Sequence, residues 1–316
     1  MTDKKIIAVV GATGAQGGGL VRAILAEPDG PFAVRALTRD RNSAKARCLA
    51  EAGAEVVSVD VDDEASILRA LEGAYGAFLM TSYWEYFSVE REQAQARAMA
   101  QAARTAGVRH AIWSTLPDTR REIAVGSGRM PVLAGRYNVP HFDGKGEADR
   151  YFVEAGVPTT FLSTTFYFEN FITLFPPVRD DNGKLFIDLP MAGSRLAGIA
   201  AEDIGRTAHG ILKRGDHLIG RTVDIAGESL TGDGYAAGFS ALLGEQVEYR
   251  PMSLATYRAL DFPGADDATN MFQYYVECAT SFTGARDVNY VRTLNPALQD
   301  FATWLKLNSD AFKGLR

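Results

Sequence analysis

The sequence has few cysteines, no excess of positive charge and no long apolar run, and each absence excludes a class of function. Its 316 residues include two cysteines, Cys48 and Cys278, too few and too far apart for a disulfide framework, so we expect a reducing compartment. The net charge of −6 argues against general nucleic-acid binding, which needs a basic face. No apolar stretch approaches the ~18 residues of a membrane span. No targeting segment stands out. We therefore expect a cytoplasmic protein with no membrane or nucleic-acid partner, and we predict no metal site.

Alternating strand and helix patterns predict a Rossmann-type α/β fold, a doubly wound parallel sheet with helices on both faces. The ligand is then expected beyond the carboxyl ends of the strands. Residues 116–140 contain several prolines and glycines and are predicted to form a long loop over that edge, followed by a helix to about residue 153. The predicted strands are 6–10, 32–38, 55–59, 76–80, 108–114, 158–162 and 222–225.

The domain prediction follows from where this alternation stops. We predict an NADP-binding Rossmann domain over residues 1–165, and we expect residues 200–226 to belong to the same domain. A smaller mixed α/β domain for a substrate or partner is predicted over 166–199 and 227–316, where helices and short strands mix without a regular order.

The segment Gly11–Gly18 carries the strongest functional signal. It lies between an apolar strand and a helical stretch, with Gly11, Gly14 and Gly17 spaced as GxxGxxG. Glycines let the backbone approach a ligand, and a helix N-terminus offers N–H groups and a positive dipole end to a diphosphate. The pattern predicts a dinucleotide site; the alternative is a glycine-rich turn without a ligand.

The residue that ends the second strand distinguishes the two nicotinamide dinucleotides. Arg39 lies 22 positions after Gly17, close to the separation of roughly 20 at which this residue faces the adenosine ribose. An arginine pairs with a 2′-phosphate, whereas an acidic residue accepts a hydrogen bond from a free 2′-hydroxyl. We predict NADP(H), although Asp40 would face the ribose if the strand ended one residue later.

The segment His141–Lys145 occupies the place of the Tyr-x-x-x-Lys pair of short-chain dehydrogenases. The lysine is present, and Ser114 ends the corresponding strand, but the tyrosine position holds His141. An imidazole with a pKa near 6.5 is a candidate proton donor; the alternative is a capping or packing residue. Tyr137 is a poor substitute, because Pro140 interrupts a common helix face with Lys145.

Two glycines flank Lys145 in this predicted helix. Gly144 and Gly146 each cost about 1 kcal/mol in a helix interior, which indicates that something approaches the backbone closely. We favour a ribose-binding role for Lys145, with a solvated helix residue as the alternative.

Motifs spread along the whole chain resemble those of the NmrA-like family of atypical short-chain dehydrogenases, and within it the HSCARG type of NADPH sensor. The shared segments are 11–18, Thr38-Arg39, Tyr83-Trp84-Glu85, His141 to Glu147, Tyr167 to Asn170 and Phe262 to Ala265. The chain departs from the sensors at Ala94, where they carry a cofactor-contacting lysine, and in its longer loop between Ser114 and His141.

The resemblance implies an NADP(H) site and a role in regulation. Such proteins lack the dehydrogenase tyrosine and change their association or partner binding with cofactor state. Aromatic residues at 167 and 168 would cover the nicotinamide, or simply pack beneath the second domain. The implied cofactor residues are Gly11, Thr13, Gly14, Ala15, Gln16, Gly17, Arg39, Asp60, Val61, Asp62, Thr81, Ser82, Tyr83, Lys145, Tyr167, Phe168, Glu169 and Asn170.

Three functions stay open from the sequence. The first is a redox-sensing regulator with little or no turnover, whose partner is another protein or a second copy of the chain. The second is an NADPH-dependent reductase of a quinone-like or enone-like small molecule, with Lys145 or His141 as proton donor. The third is a scaffold that has lost its cofactor, which agrees poorly with Arg39 and the complete glycine loop.

Overall fold

A computed structural model describes residues 4–315 and confirms the predicted fold class. One sheet of seven strands is built from β1 to β6 and β11, and the pairings among β1 to β6 are parallel. Its strand order is β11-β6-β5-β4-β1-β2-β3. The strands are β1 (Lys5–Val10), β2 (Phe32–Thr38), β3 (Glu55–Ser58), β4 (Gly76–Leu79), β5 (His110–Thr115), β6 (Thr159–Ser163) and β11 (Thr222–Asp224).

The chain divides into two compact units. Unit 1 comprises the residues up to Asp118, Gly144–Thr164 and Ala201–Val223, and unit 2 comprises Thr119–Asp143, Thr165–Ala200 and the residues from Asp224 onward. Unit 1 therefore contains nearly all of the seven-stranded sheet. Its helices are α1 (Ala15–Leu25), α2 (Ala44–Glu51), α3 (Glu64–Leu71), α4 (Val89–Thr105), α7 (Ala201–Arg214) and most of α5 (Pro140–Glu154), whose first residues belong to unit 2.

Short polar side chains cap three helices of unit 1. Ser43, Asp63 and Ser88 precede α2, α3 and α4, and each side chain accepts a hydrogen bond from a backbone N–H of the first turn. Such a cap satisfies one of the helix donors that have no partner within the helix. These caps therefore stabilise the first turns of α2, α3 and α4.

The core of unit 1 lies between the sheet and the helices packed on it. Buried aliphatic residues of β1 and β4 meet an alanine-rich face of α4, and Trp113 of β5 packs against Phe152 of α5 with ring centroids 4.8 Å apart. On another part of unit 1, α1 and α7 pack with almost no space between their backbones. A Cβ atom at Gly205 would lie 2.1 Å from the backbone nitrogen of Leu20.

Unit 2 contains two three-stranded sheets and seven further helices among the described residues. One sheet has the order β12-β10-β7 and the other β13-β9-β8, and both mix parallel and antiparallel pairs. The strands are β7 (Phe166–Tyr167), β8 (Val178–Arg179), β9 (Leu185–Ile187), β10 (Leu196–Ile199), β12 (Glu228–Leu230) and β13 (Val247–Tyr249). The helices are α6 (Asn170–Thr173), α8 (Gly232–Leu243), α9 (Leu254–Arg258), α10 (Ala265–Glu277), α11 (Ala279–Gly284), α12 (Val288–Leu294) and α13 (Phe301–Leu307).

The segment predicted as a long loop is largely irregular. Between β5 and α5 it contains only a short 3-10 turn, Thr119–Arg121, and an isolated bridge between Leu133 and Tyr137. None of the helices within residues 4–315 has the length and apolarity that crossing a bilayer would need.

Candidate functional site

The glycine segment forms a backbone cradle between β1 and α1. Gly11 has a φ of +68°, and its carbonyl oxygen accepts a hydrogen bond of 2.8 Å from the N–H of Gly14. A Cβ atom at Gly17 would lie 2.6 Å from that same oxygen, so only glycine allows α1 to start this close to the strand. Gly14 precedes α1 without a side chain to cap it. A helix that begins directly after a glycine turn is the backbone arrangement that binds phosphate groups in other proteins, so the cradle suits such a ligand.

The first turn of α1 is tied to the end of β5. Ser114 donates a hydrogen bond of 2.7 Å from its hydroxyl to Oε1 of Gln16, and both side chains are buried. Thr13 is partly exposed and Ala15 is exposed at the mouth of the cradle. The serine at the short-chain dehydrogenase position thus orients a cradle residue.

The structure places Arg39 directly after the last residue of β2, Thr38. Its side chain is 72% exposed and pairs with Glu85, in the turn after β4. Asp40 lies one residue further, and its carboxylate accepts the N–H of Asn42 at 2.8 Å, as in a local turn. The cationic side chain, rather than Asp40, therefore follows the strand end.

The acidic turn after β3 makes hydrogen bonds to other residues of the same chain. The Oδ1 atom of Asp62 accepts hydrogen bonds from Arg91 Nε at 3.2 Å and from Gln95 Nε2 at 2.8 Å. The bond from the Arg91 guanidinium is the main reason that the pKa of Asp62 lies below its usual value. Asp60 accepts the N–H of Asp62 at 3.0 Å, and Val61 packs against the core of unit 1.

The loop after β4 binds the ammonium group of Lys145 in a polar cluster. Lys145 Nζ donates to the carbonyl oxygen of Thr81 at 2.9 Å, to its Oγ1 at 2.8 Å and to Glu92 Oε1 at 2.8 Å. An ammonium group has three hydrogens, so these acceptors account for all of them. Ser82 is exposed, whereas Tyr83 is 8% exposed and packs edge-on against Trp84.

Glu92 is the member of this cluster that the sequence analysis did not name. It lies on the buried stripe of α4 with Val89, Ala96 and Met99, where its side chain is 2% exposed. The sequence does contain a signal for Glu92: a charged residue stands at a helix position whose spacing predicts a buried hydrophobic residue.

The two glycines beside Lys145 are explained by close backbone packing, as the sequence predicted, although the approaching groups belong to the protein itself. A Cβ atom at Gly144 would lie 2.7 Å from Cγ1 of Val89, and one at Gly146 would lie 2.6 Å from the backbone nitrogen of Asp118. These contacts bring α5 near enough to α4 for Lys145 to reach Glu92.

His141 lies in unit 2, paired with a carboxylate. Its Nδ1 is 2.7 Å from Oδ1 of Asp267, and its backbone N–H donates to Oδ2 of the same residue at 3.2 Å. Both side chains are 5% exposed. Tyr137, the other candidate donor, is fully buried. The imidazole is thus held inside unit 2 at the start of α5.

Asp143 fastens the two ends of the irregular loop 119–139 within unit 2. Its fully buried carboxylate accepts hydrogen bonds from the N–H and hydroxyl of Thr119 and from the N–H groups of Asn138 and Val139, at 2.6–3.0 Å. Burial raises the pKa of Asp143, although these four donors favour its ionised form.

The aromatic segment predicted to cover the nicotinamide belongs to unit 2. Phe168 is fully buried, with ring centroids 5.2 Å from Phe301 and 5.7 Å from Trp304. Trp304 Nε1 donates to Oε1 of Glu169 at 3.1 Å. Tyr167 ends β7 and Asn170 begins α6, both partly buried. The phenylalanine side chain is therefore a packing residue.

The predicted residues fall into two groups. The structure collects the glycine cradle, Arg39, the 60–62 turn, the Thr81–Tyr83 loop and Lys145 in unit 1. Each of the first four follows the carboxyl end of a parallel strand, which is where ligands of this fold class bind. His141 and residues 167–170 belong to unit 2.

A sequence model of the NmrA-like family matches residues 3–300. The chain belongs to the NmrA-like family. The NmrA-like family domain-containing oxidoreductase FrzB of Cladobotryum sp. is 30% identical over 304 residues, which is 89% of this chain and 85% of that protein. The NAD(P)H azoreductase of Xenophilus azovorans is 30% identical over 255 residues, 79% of this chain and 78% of the azoreductase.

The NmrA-like fold is also seen in the solved structures. The crystal structure of Nmra, a negative transcriptional regulator, superposes with a TM-score of 0.78 at 23% identity, covering 98% of both chains. The same regulator has been crystallised with NADP. A transcriptional regulator therefore shares the fold of this chain.

Proposed function

We propose that this chain binds NADP(H) and acts as a redox-sensing regulator with little or no dehydrogenase turnover. The observation that carries the proposal is the state of Lys145, whose three ammonium hydrogens already have acceptors in Thr81 and Glu92. The residue at the tyrosine position, His141, is buried and bound to Asp267. Both candidate proton donors are therefore bound to groups of the protein, whereas the glycine cradle for a cofactor is kept, and this combination favours binding over turnover.

The chain's own residues suit an NADP(H) dinucleotide. Gly11 to Gly17 would hold the diphosphate at the start of α1, and Arg39 would pair with the 2′-phosphate. Thr81 follows β4, on the side where the second nucleotide half of such a cofactor binds, and Lys145 of α5 donates to it. When bound, the cofactor would supply hydride chemistry. The Nmra regulator has been crystallised with NAD and with NADP, which supports a nicotinamide dinucleotide as the ligand.

Calorimetric titration with NADPH, NADP⁺ and NADH tests the proposal. A sensor must distinguish oxidised from reduced cofactor, because a ligand shifts a protein only through unequal affinity for its states. We expect unequal dissociation constants for NADPH and NADP⁺ and much weaker binding of NADH. Arg39→Ala should weaken NADPH binding by roughly 10-fold to 100-fold, the range of a charge-assisted hydrogen bond. Arg41→Ala, two residues on and also exposed, is the matched control.

Equal affinities for the two redox forms would refute the sensor, and tight NADH binding would refute the role of Arg39. The regulatory readout is association with a protein partner or with a second copy of the chain. Sedimentation velocity of the purified protein with saturating NADPH or NADP⁺ measures the second of these directly.

A second candidate function is reduction of a quinone-like or enone-like molecule by NADPH, with Lys145 or His141 as proton donor. The names of the oxidoreductase and azoreductase relatives favour it. Oxidation of NADPH, followed by its absorbance with a panel of such acceptors, distinguishes the two functions. Turnover that disappears in Lys145→Ala supports the reductase, and the absence of turnover across the panel supports the sensor.

A further inference from the structure

Glu92 and Lys145 form a buried ion pair within unit 1. The carboxylate Oε1 lies 2.8 Å from the ammonium nitrogen, and the two side chains are 2% and 13% exposed. Oε1 also accepts the hydroxyl of Thr81 at 2.8 Å. The ammonium lies 5.7 Å from the ring centre of Trp113, a neutral neighbour. The charge of Lys145 is therefore balanced by one residue.

The other oxygen of this carboxylate has no such partner. Glu92 Oε2 is inaccessible and makes no hydrogen bond to any residue in the part of the chain that the structure describes. A buried carboxylate with one unpartnered oxygen is a poor way to gain stability, because the desolvation of the pair is only partly offset. The arrangement is understandable if the negative charge itself has a use.

The position of the pair suggests that use. In the sheet, β1 lies between β4 and β2. The chain adds β2 and β3 on one side of β1 and then β4, β5 and β6 on the other side, so the strand order reverses at β1. Ligands of open α/β sheets bind at this switch point, with one nucleotide half on each side of it. Arg39 follows β2, on the side expected for adenosine, whereas Thr81 follows β4 and binds Lys145. The ion pair thus belongs to the half expected to receive the nicotinamide.

We propose that Glu92 sets the relative affinity of this site for oxidised and reduced cofactor by cancelling the charge of Lys145. The proposal rests on the NADP(H) binding proposed above. The nicotinamide ring of NADP⁺ carries a positive charge and that of NADPH does not. An uncompensated ammonium would repel the oxidised ring selectively, so the neutral pair allows NADP⁺ to bind. Glu92 is a positioning residue that acts through Lys145.

A charge series tests this inference by calorimetry. Glu92→Gln keeps the shape of the side chain and leaves a net positive site; Lys145→Gln leaves a net negative one. We expect the ratio of the NADP⁺ to the NADPH dissociation constant to rise roughly threefold to tenfold in Glu92→Gln, as for a nearby like charge at intermediate screening. The ratio should fall in Lys145→Gln. The double variant Glu92→Gln with Lys145→Gln should return the ratio to near the wild-type value, even if the affinities for NADP⁺ and NADPH are both lower than in the wild-type protein.

The matched control is Glu90→Gln, an exposed carboxylate on the same helix, which should leave the ratio unchanged. A structural role for Glu92 would weaken both redox forms together and would not be reversed by the second substitution. A ratio that is unchanged in Glu92→Gln while both forms still bind would overturn the inference. If Glu92→Gln does not fold, an unchanged ratio in Lys145→Gln overturns it instead. Failure of the wild-type protein to bind either form would refute the proposed function itself, which is a different outcome.

Discussion

Replacing Gly146 with alanine should destabilise unit 1, although the residue lies inside a helix. In an unobstructed helix, alanine is favoured over glycine by about 1 kcal/mol. Here the new Cβ would lie 2.6 Å from the backbone nitrogen and 3.0 Å from Cα of Asp118. These are main-chain atoms, so the clash can be relieved only by moving α5 or the chain after β5. Overpacking of this kind costs about 1 to 3 kcal/mol or more.

With about 2 kcal/mol for the clash and about 1 kcal/mol gained from alanine, we expect a net loss of about 1 kcal/mol, which lowers the melting temperature of a unit of this size by roughly 2 to 4 °C. Thermal unfolding followed by fluorescence measures the shift. Gly284→Ala is the control, because Gly284 ends α11 and a Cβ atom there would have nothing within 4 Å; it should melt at or slightly above the wild-type temperature. A Gly146→Ala variant that melts at or above wild type would show that the contact with Asp118 does not constrain α5.

Three further predictions concern buried groups. Burial lowers the pKa of His110, so the imidazole is neutral in the fold and protonates more readily when unfolded. The stability it provides is present above the unfolded pKa near 6.5 and is lost as the pH falls below it; the melting temperature of His110→Asn should fall less steeply from pH 7 to pH 5 than that of wild type. Burial also raises the pKa of the Cys278 thiol to about 11, whereas Cys48 is exposed. Alkylation at pH 8 should therefore give one adduct by mass spectrometry, at Cys48, and equal labelling of both cysteines would contradict this. Phe168→Ala should lower the stability of the cofactor-free protein by about 3 to 5 kcal/mol, measured by thermal melting; an unchanged melting temperature would mean that the ring does not contribute to the core.

The architecture of unit 1 could be predicted from the sequence because its signals are local. The strand and helix patterns and the glycine turn each depend on residues within a few positions of one another. The strand ends that they define place Arg39 after β2. The carboxyl ends of parallel strands then meet at one edge without any knowledge of side-chain packing.

The chemistry of the candidate site could not be predicted in the same way, because it depends on distant partners. Glu92 and Lys145 are 53 positions apart, and His141 and Asp267 are 126 apart. No local pattern specifies which buried carboxylate meets which cation.

Phe168 illustrates a different limit. Its position just after a strand is compatible with covering a ligand or with filling a core, and the aromatic residues that decide the matter, Phe301 and Trp304, are supplied by the far end of the chain. Composition and spacing cannot separate the two, because the same apolar ring serves both purposes.

The packing of α1 against α7 has a consequence for synthesis on the ribosome. The contact joins segments 180 positions apart, as in the pair between Arg22 and Glu202, and unit 1 is assembled from three stretches of chain interrupted by parts of unit 2. At a translation rate of about 5 to 20 residues per second, α7 is synthesised roughly 10 to 40 s after α1, the helix that it covers. During that interval the surface of α1 that α7 later covers stays exposed, and exposed surface of this kind on a nascent chain is what chaperones bind.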